Sequence, residues 1–312
     1  MIITLTPNPS VDRIVTLERI RFNETLRTEN ARIEWGGKGF NVSRGLSILG
    51  EESLALGWMG GWSGRMMDAG LRDLGTPTDF VWVEDETRTN TLVFEAEGEW
   101  YVRLVEAGPY IPESAIEGIY QKVDSHTIAG DILLACGSLP KGVPENFYGQ
   151  LIRHLKHREI RVCVDSNGQA LRHALAEKPF LLSPEVLDAE AIVGYPIKTN
   201  DDAKRAVVAF LRQGVQHVAI APSSQSVILG IQRELVMATA PKMATRNANF
   251  ASDALLAGLV YGFAKNLEFE QIARWGVGFM TVASNKATLS EVKLADVEAM
   301  LPRLESRVIA NL

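Results

Sequence analysis

Asp253 opens an uninterrupted apolar run, Ala254-Leu255-Leu256-Ala257-Gly258-Leu259-Val260. An acid in that place can cap a helix, which stabilises it by roughly 1 kcal/mol. It can equally serve as a general base that takes the proton of an attacking hydroxyl. A second stretch, Trp35-Gly36-Gly37-Lys38-Gly39-Phe40-Asn41, sets glycines around one lysine. Val42, Leu46 and Leu49 then recur at helical spacing, the stripe of a half-buried helix. Glycines before a helix let free N–H groups approach a ligand, and the helix dipole there favours an anion. The stretch is therefore either a cradle for a phosphate or similar polar ligand, or a plain turn. Asp12 can bind sugar hydroxyls or close a turn. Arg88 and Arg103 can clamp a phosphate bidentately or stand solvated. Asp165 ends the run Arg161-Val162-Cys163-Val164, where parallel-sheet proteins hold polar ligands, or caps the helix that follows. The five histidines have no metal-ligand spacing, and neither G-x-x-x-x-G-K-[ST] nor G-x-G-x-x-G after a strand occurs.

The elements that must position these residues are readable from periodicity. Residues 2–6 form a strand closed by Pro7-Asn8-Pro9, and 11–17 read as an edge or lid strand. Residues 27–35 are extended, 53–59 form a strand, and 63–74 a helix with Met66, Met67, Leu71 and Leu74 on its apolar side. Three β-rich runs, 80–83, 91–95 and 100–105, lack intervening helices, with a hairpin turn at Glu97-Gly98-Glu99. They predict a small sheet set apart from the main core. From residue 112 helices and strands alternate: helix 113–123, strand 131–136, helix 145–157, strand 160–164, helix 168–177, strand 180–182. Helices 185–193 and 201–213 and strand 216–221 continue the rhythm of a parallel sheet covered on both faces. Strands near 226–230 and 234–238 and helices near 251–265, 268–284 and 293–306 complete the chain.

Bulk properties narrow the class. The 312 residues are 46% hydrophobic and 22% charged, ordinary for a globular protein with an ample core. A net charge of −6 argues against nucleic-acid partners and anionic membranes. No apolar run reaches membrane-spanning length and Met1 leads directly into a strand, so the expected compartment is the cytoplasm. Cys136 and Cys163 sit in apolar strand-like runs, as buried reduced thiols do.

Five ordered motifs together resemble the ribokinase-like sugar kinases, in particular the PfkB branch that phosphorylates hexose phosphates. They are LTPNPSVD (5–12), WGGKGFNVSRGLSILG (35–50), GSLPKGVPENFY (137–148), VDSNGQAL (164–171) and DALLAGLVYG (253–262). The resemblance implies an α/β fold: a single ribokinase-like domain over 1–312, three-layered around a mostly parallel central sheet. A small β-sheet lid would be built from segments near 11–35 and 80–105. It implies ATP-dependent phosphorylation of a sugar phosphate of the fructose 1-phosphate, fructose 6-phosphate or tagatose 6-phosphate class, with Asp253 as base. Asp12, Gly37, Lys38 and Asn41 would contact the sugar phosphate, Arg88 and Arg103 would hold its phosphate, and Ser138 would border the acceptor. Lys38 thereby moves from a nucleotide cradle to the acceptor platform. Mg²⁺ would accompany ATP, with no metal fixed by the protein alone, and the lid would build a homodimer.

The nucleotide half departs from the pattern. The family's G-A-G-D becomes Phe250-Ala251-Ser252-Asp253, and its K-P-N-x-x-E becomes Ser183-Pro184-Glu185-Val186-Leu187-Asp188. Its S-L-G-x-x-G becomes Ala221-Pro222-Ser223-Ser224-Gln225-Ser226. Asp165, Glu185, Asp188, Ser223, Ala251 and Ser252 are the residues left to form that side. Loss of one oxyanion-type donor costs about 10²–10³ in rate. The alternative is accordingly a kinase-derived sensor or regulator that binds a sugar phosphate with little or no transfer.

Overall fold

The computed structural model describes residues 1–28, 30–96, 101–231, 233–243, 250–286 and 288–311. Strand β1 (Ile2–Thr6) turns through Pro7-Asn8-Pro9 into β2 (Ser10–Leu17) and β3 (Asn30–Gly36). Helix α1 (Lys38–Ile48), β4 (Leu54–Gly60), α2 (Gly61–Asp73) and β5 (Val81–Val83) follow, then β6 (Arg88–Glu95) and β7 (Tyr101–Leu104). Next come α3 (Glu113–His126), β8 (Ile132–Cys136), α4 (Phe147–Leu155), β9 (Arg161–Asp165) and α5 (Gly168–Ala176). β10 (Leu181–Leu182), α6 (Val186–Val193), α7 (Asn200–Arg212), β11 (His217–Ser223), β12 (Ser226–Ile231) and β13 (Glu234–Thr239) continue. The chain closes with α8 (Ala251–Ala264), α9 (Phe269–Ser284), α10 (Leu294–Met300) and β14 (Glu305–Asn311).

Ten strands form one sheet in the order β14-β13-β12-β11-β10-β9-β8-β1-β4-β5. It is parallel from β11 to β5 and antiparallel from β11 to β14. Strand alternation splits the core in two. In β8, Leu133 and Ala135 join a cluster with Ile119, Leu151, Leu171 and Phe210, from α3, α4, α5 and α7. Ile132, Leu134 and Cys136 face the opposite way, toward Leu46, Leu256, Phe279 and Val297 of α1, α8, α9 and α10. Three layers result, helices covering both faces of the sheet. A second sheet, β3-β2-β6-β7, stands apart as the lid. Cys136 and Cys163 are free thiols, both buried.

Three local expectations differ from the structure. Residues 81–83 leave the lid and pair parallel with β4 at the edge of the main sheet. The helix 61–73 makes them the end of a β-α-β crossover, which favours a parallel seat beside β4. The lid therefore draws on 10–36 and 88–104, and β2, read as an edge or lid strand, is a lid strand between β3 and β6. Met66 and Leu74 are exposed while Met67 and Leu71 are buried, because the helix packs only its narrow inner stripe. The last helix stops at Met300, before Pro302, whose missing N–H and ring oppose continuation. Glu305–Asn311 then pairs antiparallel with β13. The turn at 97–99 and Trp100 lie outside the described residues. Among the described residues no helix is long and apolar enough to cross a membrane.

Candidate active site

The loops after β1, β8 and β9 meet where the strand order reverses between β8 and β1, the usual ligand position in an open parallel sheet. They border a cleft of about 680 Å³ that the lid overhangs. Gly37 caps α1 with φ of +135°, and a Cβ there would come within 2.7 Å of Thr6 Cγ2. Glycine alone fits that start comfortably, and it aims Lys38 and Asn41 into the cleft.

Helix α8 faces them. Asp253 stands third in it and makes no cap; its Oδ2 instead accepts a 2.8 Å hydrogen bond from Asn41 Nδ2. Its Oδ1 is buried without a hydrogen-bond partner, 3.7 Å from Lys38 Nζ. Burial raises the Asp253 pKa, against the pull of the Lys38 charge and the Asn41 amide. A buried carboxylate with one oxygen anchored and the other free is suited to accept a proton.

Lys38 is the hub. Its ammonium lies 2.6 Å from Glu185 Oε1, 3.1 Å from Asp165 Oδ2 and 3.4 Å from Ser252 Oγ. Burial alone would lower its pKa, but Asp165, Asp253 and Glu185 outweigh burial and hold it well above the ordinary lysine value. Burial pushes the Asp165 carboxyl up to about 7 despite Lys38. Glu185, half exposed, is held below its usual range by the Lys38 charge and hydrogen bond, which overcome its desolvation. Asp165 is thus a partner of Lys38, and the next helix takes Asn167 as its cap residue.

The lid contributes the opposite wall. Asp12 Oδ1 accepts hydrogen bonds from Ser10 Oγ at 2.7 Å and Asn90 Nδ2 at 2.8 Å. Arg88 and Arg103 both line the cleft. The Arg88 guanidinium donates to the carbonyls of Asn8, Pro9 and Glu106, at 2.8, 3.3 and 3.2 Å. The Arg103 side chain makes no hydrogen bond among the described residues, while its backbone pairs with β6. Ser138 accepts from Asn8 Nδ2 at 3.3 Å beside the same opening. Gly37, Ser223, Ala251 and Ser252 also border the cleft.

Lys38, placed by the motif with the sugar phosphate, touches Asp165, Glu185 and Ser252, three residues that the motif comparison assigns to the nucleotide side. Its side chain reaches across the cleft to the densest negative charge. Asp188 does not line the cleft; it sits in the first turn of α6, its carboxylate accepting from the Gly168 N–H. Asn90 and Asn8 went unread in the sequence. Asn90 follows Arg88 by two on one strand face, so strand period could have flagged it; Asn8 lies within Pro7-Asn8-Pro9.

Asp165, Glu185 and Asp253 are the carboxylates a divalent cation would seek. The Lys38 ammonium already stands among them, and no group of three or more His, Cys, Asp or Glu able to hold a metal occurs among the described residues. The donor set does not fit an ion held by the protein alone.

Comparison with known proteins places this cleft. The model of the pfkB family carbohydrate kinases matches residues 6–292. The chain belongs to the pfkB carbohydrate kinase family. It is 30% identical over 307 residues to a 1-phosphofructokinase of Bacillus subtilis, covering 98% of this chain and 99% of that protein. It is 27% identical over 278 residues to a tagatose-6-phosphate kinase of Staphylococcus epidermidis, covering 88% and 89%. The solved structure of phosphofructokinase-2 from Escherichia coli in complex with fructose-6-phosphate superposes with a TM-score of 0.87 at 29% identity, covering 96% and 98%. In this pfkB kinase the fold is therefore ribokinase-like and the enzyme class is a phosphosugar kinase.

Proposed function

We propose that this chain transfers the terminal phosphoryl group of ATP to a hydroxyl of a hexose phosphate of the fructose or tagatose phosphate class, with Asp253 as general base. The observation that carries the reading is the Asn41–Asp253 pair. One carboxylate oxygen is fixed at 2.8 Å, and the other is buried without a hydrogen-bond partner, on a residue that lines the cleft. The acceptor hydroxyl oxygen attacks the terminal phosphorus while its proton passes to Asp253 Oδ1. The bond to the bridging oxygen breaks and ADP leaves. The first-turn N–H groups of α8 lack helical partners and can receive the transferred group's oxygens.

Asp12, held by Ser10 and Asn90, would accept from the sugar hydroxyls. Arg88 and Arg103 would receive its phosphate, Ser138 would border the acceptor, and Gly37 would contact the sugar phosphate. ATP would enter along Glu185, Ser223, Ala251 and Ser252, with Asp165 behind Lys38; Asp188 would act on that side only through Gly168. Mg²⁺ would arrive with the nucleotide. The sensor alternative gains no support from the relatives, which are named as phosphosugar kinases. The working unit is one domain with its lid, paired to a second copy through the lid and located in the cytoplasm.

Phosphorylation of fructose 1-phosphate, fructose 6-phosphate and tagatose 6-phosphate by MgATP, followed by ³¹P NMR, tests the reading. One of them is expected to yield a bisphosphate, and Asp253→Asn to lose about 10²–10⁴ of that rate. Undiminished turnover in Asp253→Asn would refute the base, and no turnover with any of the three would refute the activity.

A further inference from the structure

Two of the residues at which the chain departs from its family's motifs converge on one atom. Glu185 Oε1 lies 2.6 Å from Lys38 Nζ, and Ser252 Oγ lies 3.4 Å from each of them. An ammonium has three donors and no acceptor. Those of Lys38 point to Asp165, to Glu185, and toward Ser252 and Asp253. The partners differ in how firmly they are enclosed. Asp165 ends β9 and Asp253 stands in the first turn of α8, and both are buried, with side-chain exposures of 1% and 4%. Glu185 precedes α6 in extended backbone, and its side chain is 48% exposed. A phosphate oxygen can bond Lys38 only by replacing one partner, and Glu185 is the one that can swing into water.

We propose that Glu185 is a donor-discriminating residue: it occupies Lys38 as an internal anion, and the nucleotide's phosphate must displace it to bind. This rests on the phosphoryl-donor reading of that side of the cleft. Nucleotide binding is then an exchange of one anion for another on the same ammonium. While Glu185 stays, its charge repels the triphosphate and its ion pair withholds the Lys38 ammonium. Ser252 Oγ is within reach of both partners, so it can keep Lys38 in place when Glu185 leaves. An uncharged residue at 185 removes the competitor and leaves Lys38 anchored on Asp165.

Isothermal titration of MgATP, and separately of fructose 6-phosphate, into the wild-type chain, Glu185→Asn and Glu185→Gln decides the matter. MgATP should bind the variants about tenfold more tightly, the order expected for removing one like charge within about 4 Å. Fructose 6-phosphate should bind within about twofold of wild type, and ATP titrated in EDTA should show the same gain. Lys38→Met should weaken MgATP. An unchanged or weakened MgATP affinity in both Glu185 variants would overturn the proposal. A gain lost in EDTA would overturn it as well, by making residue 185 matter through the nucleotide's cation. If the wild type binds and turns over MgATP but the variants do not differ, the gate falls and the kinase reading stands. If no form binds MgATP while the sugar phosphate binds, both fall. Melting temperatures within a few degrees of wild type certify that the variants are folded.

Discussion

Three carboxylates surround one ammonium at the centre of the cleft, and their charges do not balance. Asp165 is fully buried, and burial, with the Asp253 and Glu185 charges adding to it, holds its pKa at about 7 instead of 3.8. Between those values the folded chain holds a proton that the unfolded chain has released. Stability from this group therefore falls as pH rises from about 4 to 7 and levels off above. At about 1.4 kcal/mol per pKa unit the cost at neutral pH is on the order of 4 kcal/mol. Asp165→Asn removes the titration, so its melting temperature relative to wild type should climb across that window. A difference that stays flat with pH would refute the assignment. Such behaviour is invisible in the string Arg161-Val162-Cys163-Val164-Asp165, which signals a buried strand end but not what waits there. The same limit applies to Arg88 and Arg103, which read alike in the sequence. Carbonyls of residues 8, 9 and 106 hold the first, and only the folded lid brings them to it.

Between elements, the geometry of the base depends on how closely α1 can approach α8. Gly45 sets that distance: a Cβ there would lie 2.7 Å from Ala257 Cβ and 3.0 Å from the Phe279 ring. The same approach carries Asn41 to within 2.8 Å of Asp253. Gly45→Ala should force the helices apart, costing about 1–3 kcal/mol as overpacking does. It should also lower kcat more than it raises KM, because the Asn41–Asp253 bond lengthens. Adding Ala257→Gly should restore both, read by melting temperature and steady-state kinetics; a double variant no better than Gly45→Ala would refute this packing account. Regular alternation from residue 112 made the three-layer core readable, since period and turn residues are local signals. The sheet that β5 joins, and β14 altogether, were not readable. A three-residue strand earns its sheet only through a neighbour, β4, and the final strand is recognisable only once Pro302 has stopped the helix.

At the scale of the whole molecule, strand period gives the lid two unlike faces. Asp12, Ile14, Arg32, Glu34, Arg88 and Arg103 turn toward the cleft. Register places the intervening residues on the other face: Val15, Ile33, Val93, Val102 and Leu104. Ile33, Val102 and Leu104 are 48%, 38% and 60% exposed, a concentration of apolar surface that a second copy of the same sheet would cover. The dimer should therefore form through the lids, and sedimentation should find the chain at about twice 34.3 kDa. Leu104→Glu puts a charge on that surface, at its edge strand β7, and should shift the protein toward the single-chain mass. The main sheet shares no residue with the patch, so its melting should change little. Affinity for the hexose phosphate should fall severalfold, because Asp12, Arg88 and Arg103 are carried by the sheet that loses its partner. A wild-type chain that sediments at 34.3 kDa at assay concentrations, or a Leu104→Glu variant that stays paired, would move the interface elsewhere.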